Sequence, residues 1–288
     1  MTVSSALAPV IALSHGGGPL PILGDPGHKS IIYSLKKRVP QILGLGTPRQ
    51  PRAIVLITAH WTTDVPSISS SESHKLLFDY YNFPPEAYKL EYAAPGAPDI
   101  AERIRKAFTD QRLSPKLDAD RGWDHGVFVP LTLVLPKADV PVVQVSVLRS
   151  EDPDAHLRMG AALAALRADG IAIIGSGFAS LHNLDTMLSL RSVRPDQCAA
   201  FRRDSDEWND ALTHVVTAAD KDARWTGLKA WRALPHANQM HPPNGGEHFM
   251  PLIVCAGAAG EEEAAKYYKD DFVGVDIFTY YWGAEQVE

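Results

Sequence analysis

Residues Ala53 to Thr63 read A-I-V-L-I-T-A-H-W-T-T, and the interpretation of the whole chain turns on this stretch. Its first seven residues are apolar apart from one Thr, and β-branched side chains are prominent. Such a short run is expected to form a strand buried on both faces, as in a parallel sheet. The run stops on a metal-capable side chain, His60, followed by the indole of Trp61. In open α/β sheets, ligands bind in the crevice beyond the carboxyl ends of the strands. His60 therefore marks where chemistry is expected, as the anchor of a metal site.

Working outward, further buried strands are expected at residues 10–13, 140–148 and 171–174, with a last strand at 272–282. Residues 66–71 suit an edge strand and 113–117 a short one. Helical patterning covers residues 31–43, 99–108, 127–135, 154–168, 195–219 and 247–256, the last wholly apolar beyond its first residues. Strands separated by helices predict an α/β fold: a single domain over residues 1–288, its central sheet flanked by helices. The sheet is expected to be largely parallel, or mixed if the tail adds antiparallel strands. The metal site then falls at the strand C-terminal ends.

Composition narrows the function. The chain is 45% apolar and 22% charged, ordinary for a globular protein, and its net charge of −6 with no basic run argues against nucleic acid. Cys198 and Cys255 give neither a disulfide framework nor a ligand spacing. The N-terminus lacks a basic region and is broken by Pro9, and no apolar run approaches the roughly 18 residues of a membrane span. A cytoplasmic protein with no membrane partner is expected.

Eleven histidines carry the functional signal. His28, His74, His156 and His214 lie in polar or helical contexts and are assigned no role, His28 being expected in solvent. His236 and His241 sit in a Pro-rich loop as structural residues, with His241 placed where it could line a pocket. His15, His60, His125 and His182 stand in or beside loops, the first two directly off buried strands, and His248 opens the apolar helix. Neutral imidazole is the commonest metal ligand, so this set points to a metal site without naming the metal. Neither H-E-x-x-H nor C-x-x-C occurs, so the ligands must be dispersed and assembled by the fold. The H-G-G-G run at His15 looks like a lipase oxyanion loop, but Ile174-Gly-Ser-Gly-Phe178 lacks the outer glycines of a nucleophile elbow. The same glycines fail the dinucleotide fingerprint G-x-G-x-x-G.

Five short motifs then fall into a known order: Ser14-His15-Gly16, Ala59-His60-Trp61, Asp124-His125-Gly126, Gly175-Ser176-Gly177 with His182-Asn183, and Glu247-His248-Phe249. Together with the aromatic stretch at residues 82–98, they resemble the class III extradiol ring-cleavage dioxygenases, in the DOPA 4,5-dioxygenase-like branch. The resemblance runs from about His15 to Gly260. It implies a non-haem Fe(II) enzyme that uses O₂ to open the ring of a catechol, L-DOPA or a similar substituted catechol, to a semialdehyde. It further implies His15, His60 and His248 as metal ligands. His182 would be the acid–base histidine, close enough to serve as a fourth ligand in a resting form, and His125 would orient substrate or stabilise the bound oxygen species. The wider family usually completes its site with a carboxylate. Successive helical residues point about 100° apart, so only one of Glu247 and His248 faces the metal; the branch implies His248, with Glu247 behind it.

Zinc could occupy the site in purified protein by the usual affinity order. A zinc-dependent hydrolase or lyase would use the same histidines with metal-bound hydroxide. A third reading is a non-catalytic binding protein like Memo, whose fold is similar; the full set of five histidines favours an enzyme. For the substrate side chain no single Arg, Lys or Tyr stands out, and His74, Tyr80, Tyr92 and Trp123 are candidates to line the pocket.

Overall fold

The Ala53–Thr63 stretch is a central strand of an eight-stranded sheet in the computed structural model, which describes residues 7–192 and 198–288. The strands are β1 (Val10–Ser14), β2 (Ala53–Thr63), β3 (Ser67–Ser69), β4 (Lys116–Asp118), β5 (Val142–Leu148), β6 (Ile171–Gly177), β7 (Lys266–Phe272) and β8 (Val275–Trp282). Their spatial order is β4-β3-β5-β2-β6-β1-β8-β7. The inner four, β5-β2-β6-β1, are mutually parallel. Every residue of β1, β5 and β6 is buried, as is β2 up to Ala59, which is why these strands read as unbroken apolar runs. The β7–β8 hairpin pairs antiparallel beside β1 and makes the sheet mixed.

Ten α-helices among the described residues complete the fold: α1 (Lys29–Lys36), α2 (Arg38–Leu43), α3 (Pro98–Asp110), α4 (His125–Val134), α5 (Pro153–Leu163), α6 (Leu184–Ser192), α7 (Ala199–Val216), α8 (Lys221–Lys229), α9 (Ala237–Met240) and α10 (Met250–Ala258). All nine residues of α10 are buried, and it packs against α5 and the strands β6 and β1. That environment explains its lack of a polar face. None of the described helices is long and apolar enough to cross a membrane. Cys198 and Cys255 are both buried, and no disulfide forms among the described residues.

Several boundaries differ from expectation for identifiable reasons. The single helix expected at 31–43 is two, broken at Lys37. Pro40 has no N–H to bond the carbonyl of residue 36 and its ring crowds that position. The helix expected at 154–168 stops at Leu163 and finishes as a 3-10 turn to Asp169. The last strand begins at Val275, and the chain before it forms a second strand, β7, whose side chains alternate between core and solvent. The two are joined at Val273 and Gly274, both with positive φ, a hairpin turn that the β-branched Val273 disguises in sequence. β3 is not an edge strand, because β4, equally short, pairs outside it. The helix expected at 127–135 starts two residues earlier, at His125. The helix expected from residue 195 begins at Ala199, and residues 195–197 lie outside the described part. So do residues 1–6, on which part of the leader argument rested.

Candidate metal centre

The three dispersed histidines are delivered by three different local devices. His15 is the first residue beyond β1, and the chain then turns at Gly16 with φ of 86°. A Cβ there would lie 2.3 Å from the Pro21 ring, so both the angle and the space require glycine. His60 lies inside β2, where the parallel register with β5 slips between Thr58 and Thr62. Such an irregularity re-aims side chains next to a site. His248 lies not on α10, as expected, but in the turn before it. Its carbonyl accepts the Phe178 N–H at 2.9 Å, and a Cβ on Gly177 would come within 2.3 Å of that oxygen. The end of β6 is glycine because the backbone of the His248 turn crosses there.

These devices bring the imidazoles of His15, His60 and His248 together. The Nε2 of His60 stands 3.1 Å from that of His15 and 3.2 Å from that of His248. The other ring nitrogens are engaged. His15 Nδ1 donates to Ser176 Oγ at 3.0 Å, and the Ser176 hydroxyl donates to the Gly126 carbonyl. His248 Nδ1 donates to Glu247 Oε1 at 2.8 Å. His60 Nδ1 faces the Asp79 carboxylate at 3.6 Å. These partners place the Nε2 lone pairs of His15 and His248 at the point where the three rings meet. Outer partners of this kind orient metal-bound histidines.

The residues fit a metal. A single proton on His60 Nε2 can serve only one of its two Nε2 neighbours, 3.1 and 3.2 Å away, so the other contact sets lone pair against lone pair unless a positive centre lies between them. Three nitrogens on one tetrahedral metal at about 2.1 Å would stand about 3.4 Å apart, close to this spacing. Burial first, and then the neighbouring imidazoles, hold all three groups well below the ordinary histidine range, in the neutral form a ligand needs. The cluster can therefore hold a metal ion. Glu247 is not excluded by helical geometry, since neither it nor His248 is on the helix; it is occupied as the acceptor behind His248.

His125 and His182 flank this cluster. His125 is the first residue of α4, and its ring lies 3.7 Å from that of His60, centroid to centroid. Its Nδ1 and its backbone N–H both donate to Asp79 Oδ1, at 2.8 and 2.9 Å. His182 stacks on His248 with centroids 3.3 Å apart and faces Glu247 at 3.5 Å. Burial pushes its pKa down to about 4, against the opposing pull of Glu247. All five histidines open into one cavity of about 510 Å³, walled by Leu20, Tyr80, Phe83, Phe178 and Phe272 and by the α6 side chains Leu184, Met187 and Leu188.

The structure corrects several assignments. His28 is fully buried rather than solvated, and bonds Asp25 and the backbone of Gly17. Among the four candidates for pocket lining, only Tyr80 lines the cavity. Tyr92 and Trp123 are core, and His74 stacks on Trp123. His241 does not line it either; it is sealed among Trp208, Trp231 and Phe249. Asp79 and Arg191 were not singled out from sequence. The one signal for Asp79 is a charge inside an aromatic run. Asp124 is also fully buried behind His60, bonded by Thr58 and Arg121, with its pKa raised by burial to about 6. Arg121 in turn donates to the His60 carbonyl and lies over the Trp61 ring, so the whole brace backs one histidine.

Metal-capable imidazoles at the carboxyl ends of parallel strands, opening into an aromatic-walled cavity, define a metalloenzyme of the α/β class. The sequence pattern described as the catalytic LigB subunit of aromatic ring-opening dioxygenase matches residues 9–279, so the chain belongs to the LigB family, the class III extradiol dioxygenases, and to its DOPA-dioxygenase-like branch. It is 61% identical to dioxygenase tasH of Hapsidospora irregularis, across 98% of this chain and 87% of that protein. It is 36% identical to the 4,5-DOPA dioxygenase extradiol of Escherichia coli K12 (91% of this chain, 89% of the other). The protein of the same name from Beta vulgaris is 34% identical over 91% of each. The crystal structure of an uncharacterised Escherichia coli K12 protein, JW3007, superposes with a TM-score of 0.70 at 26% identity, covering 95% of this chain and 99% of that one. The activity is thus that of a ring-cleaving dioxygenase in a metal-dependent family.

Proposed function

We propose that this chain is a non-haem Fe(II)-dependent extradiol dioxygenase that opens the ring of a substituted catechol with O₂ to a semialdehyde. The observation that carries the reading is the set of three Nε2 atoms converging beneath the cavity, with no carboxylate among them. His15, His60 and His248 would hold the metal. When bound, the ion would supply an uncompensated double positive charge and open positions for a catecholate and for O₂. His182 is neutral over the working range and accepts a catechol proton, while Glu247 stabilises its charged form. The same histidine later returns the proton. His125, with Nδ1–H committed to Asp79, presents Nε2 to the substrate and orients the ring. Phe178, Phe272 and Phe83 keep water from the reacting groups.

L-DOPA is the first substrate to try, because relatives carry its name. The test is to load the protein anaerobically with Fe(II), admit air, and follow oxygen uptake and absorbance with a panel of catechols. Oxygen consumed in equal amount to a yellow semialdehyde is the expected result. Zinc-loaded protein that hydrolyses esters while Fe(II)-loaded protein consumes no oxygen would overturn it.

A further inference from the structure

The cavity separates into a polar floor and an apolar mouth. The five histidines and Glu247 form the floor. The mouth is built by α6, whose Leu184, Met187, Leu188 and Arg191 fall three and four residues apart and so share one helix face. Leu184 is 62% and Leu188 67% exposed, two large apolar side chains held in solvent at the rim of an active-site cavity. Contiguous exposed apolar surface beside a pocket marks a binding site. The space is ample, since about 150 Å³ already accepts a benzene-sized ligand and this cavity measures about 510 Å³.

Charge at the mouth is already neutralised. Arg191 is the one Lys or Arg lining the cavity among the described residues, and it donates to Asp25 Oδ1 at 2.6 Å. The other oxygen of Asp25 is taken by His28 at 2.7 Å. The one cavity-lining carboxylate among the described residues, Glu247, is bound to His248. A zwitterionic amino-acid side chain would have to break these pairs or lay its charges against leucines, and burying an unpaired charge is costly.

We propose that the ring substituent of the substrate is uncharged and apolar, and that it lies along Leu184, Met187 and Leu188 and covers the two exposed leucines. This rests on the ring-opening reading above and adds to it the chemical class of the substituent. Each methylene buried there improves affinity about fourfold, the usual gain on removing a CH₂ from water.

The experiment compares 4-methyl-, 4-ethyl-, 4-propyl- and 4-butylcatechol with L-DOPA. Equilibrium binding is measured by calorimetry on the Fe(II)-loaded protein under nitrogen, and kcat/KM in air. Affinity and kcat/KM are expected to climb about threefold to fourfold per carbon, with L-DOPA at least tenfold below butylcatechol. In the double variant L184S/L188S the gain from methyl to butyl is expected to fall below about twofold; both side chains are exposed, so the fold tolerates the change. A flat series, L-DOPA binding as tightly as butylcatechol, or a chain-length dependence that survives the double variant would each overturn the proposal. A rising binding series with no ring opening of any catechol would support the apolar subsite and overturn the ring-opening reading instead.

Discussion

His28 Nε2 accepts the backbone N–H of Gly17 at 2.9 Å, tying a buried imidazole to the loop that leaves His15. Its Nδ1 donates to Asp25, which is also paired with Arg191 of α6. The loop that follows His15 and the helix over the cavity are therefore braced by one set of bonds. An accepting Nε2 requires neutral imidazole, and burial lowers the His28 pKa in that direction. Replacing His28 with Leu leaves the Gly17 N–H without an acceptor, a loss of about 1–3 kcal/mol. His28→Leu is expected to melt several degrees lower and to bind Fe(II) at least tenfold more weakly. A lower melting point with unchanged iron affinity, by calorimetric titration, would show that His28 supports the fold and not the site.

The strands and the floor of the site were legible in the sequence because their signals are local. Residues 53–59 must be apolar on both faces, and a histidine follows directly. His15, His125, His182 and His248 stood out by their placement in or beside loops and at the start of an apolar stretch, and the family order of motifs then supplied their roles. Asp79, His28 and Arg191 were not legible, since each acts through a partner distant in sequence or set by loop geometry. Asp79 reaches His125, 46 positions on, and His60, 19 positions back. Arg191 meets an Asp 166 positions before it. The first strand of the terminal hairpin, β7, was hidden by its alternation, K-Y-Y-K-D-D-F, in which the charged Asp270 is buried and the aromatic Tyr267 faces solvent.

His60 shares its Nε2 contacts with both other members of the cluster, so its loss leaves two imidazoles that no longer enclose a point. His60→Ala is expected to retain less than about a tenth of the wild-type iron after gel filtration, as two ligands replace three. Chelation of the wild type should lower its melting temperature and leave that of the variant unchanged, since only the wild type has a bound ion to lose. Full iron occupancy in the variant, by elemental analysis, would show that the cluster is not the metal site.

His182 lies parallel to His248 at 3.3 Å and shares with it the Glu247 carboxylate, whose Oε1 is 3.5 Å from His182 Nδ1. That arrangement suits a proton carrier beside the metal. His182→Ala is expected to keep stoichiometric iron and to lose turnover by about 10²–10⁴, the usual worth of a positioned acid–base group. Single-turnover absorbance under a pulse of O₂ separates the two effects. Wild-type rates would remove His182 from the proton path, and loss of iron would make it a ligand instead.

Away from the site, His156 is fully buried, with Nδ1 donating to the Asp152 carbonyl at 2.7 Å and Nε2 accepting the Leu148 N–H at 3.0 Å. Burial lowers its pKa to about 4, against the opposing Asp152 carbonyl. The unfolded chain, with histidine near its ordinary value of about 6.5, binds this proton more readily than the folded one. Stability from His156 is therefore complete above about pH 6.5 and declines as pH falls towards about 4, by about 1.4 kcal/mol per pH unit. His156→Leu should be less stable than wild type at pH 7.5, because the Leu148 N–H loses its acceptor. Between pH 6 and 5, however, its stability should fall less steeply, by about one proton's worth of slope. Urea melts at pH 7.5, 6 and 5 measure both quantities; equal slopes in the two proteins would mean that His156 takes up its proton without unfolding the chain.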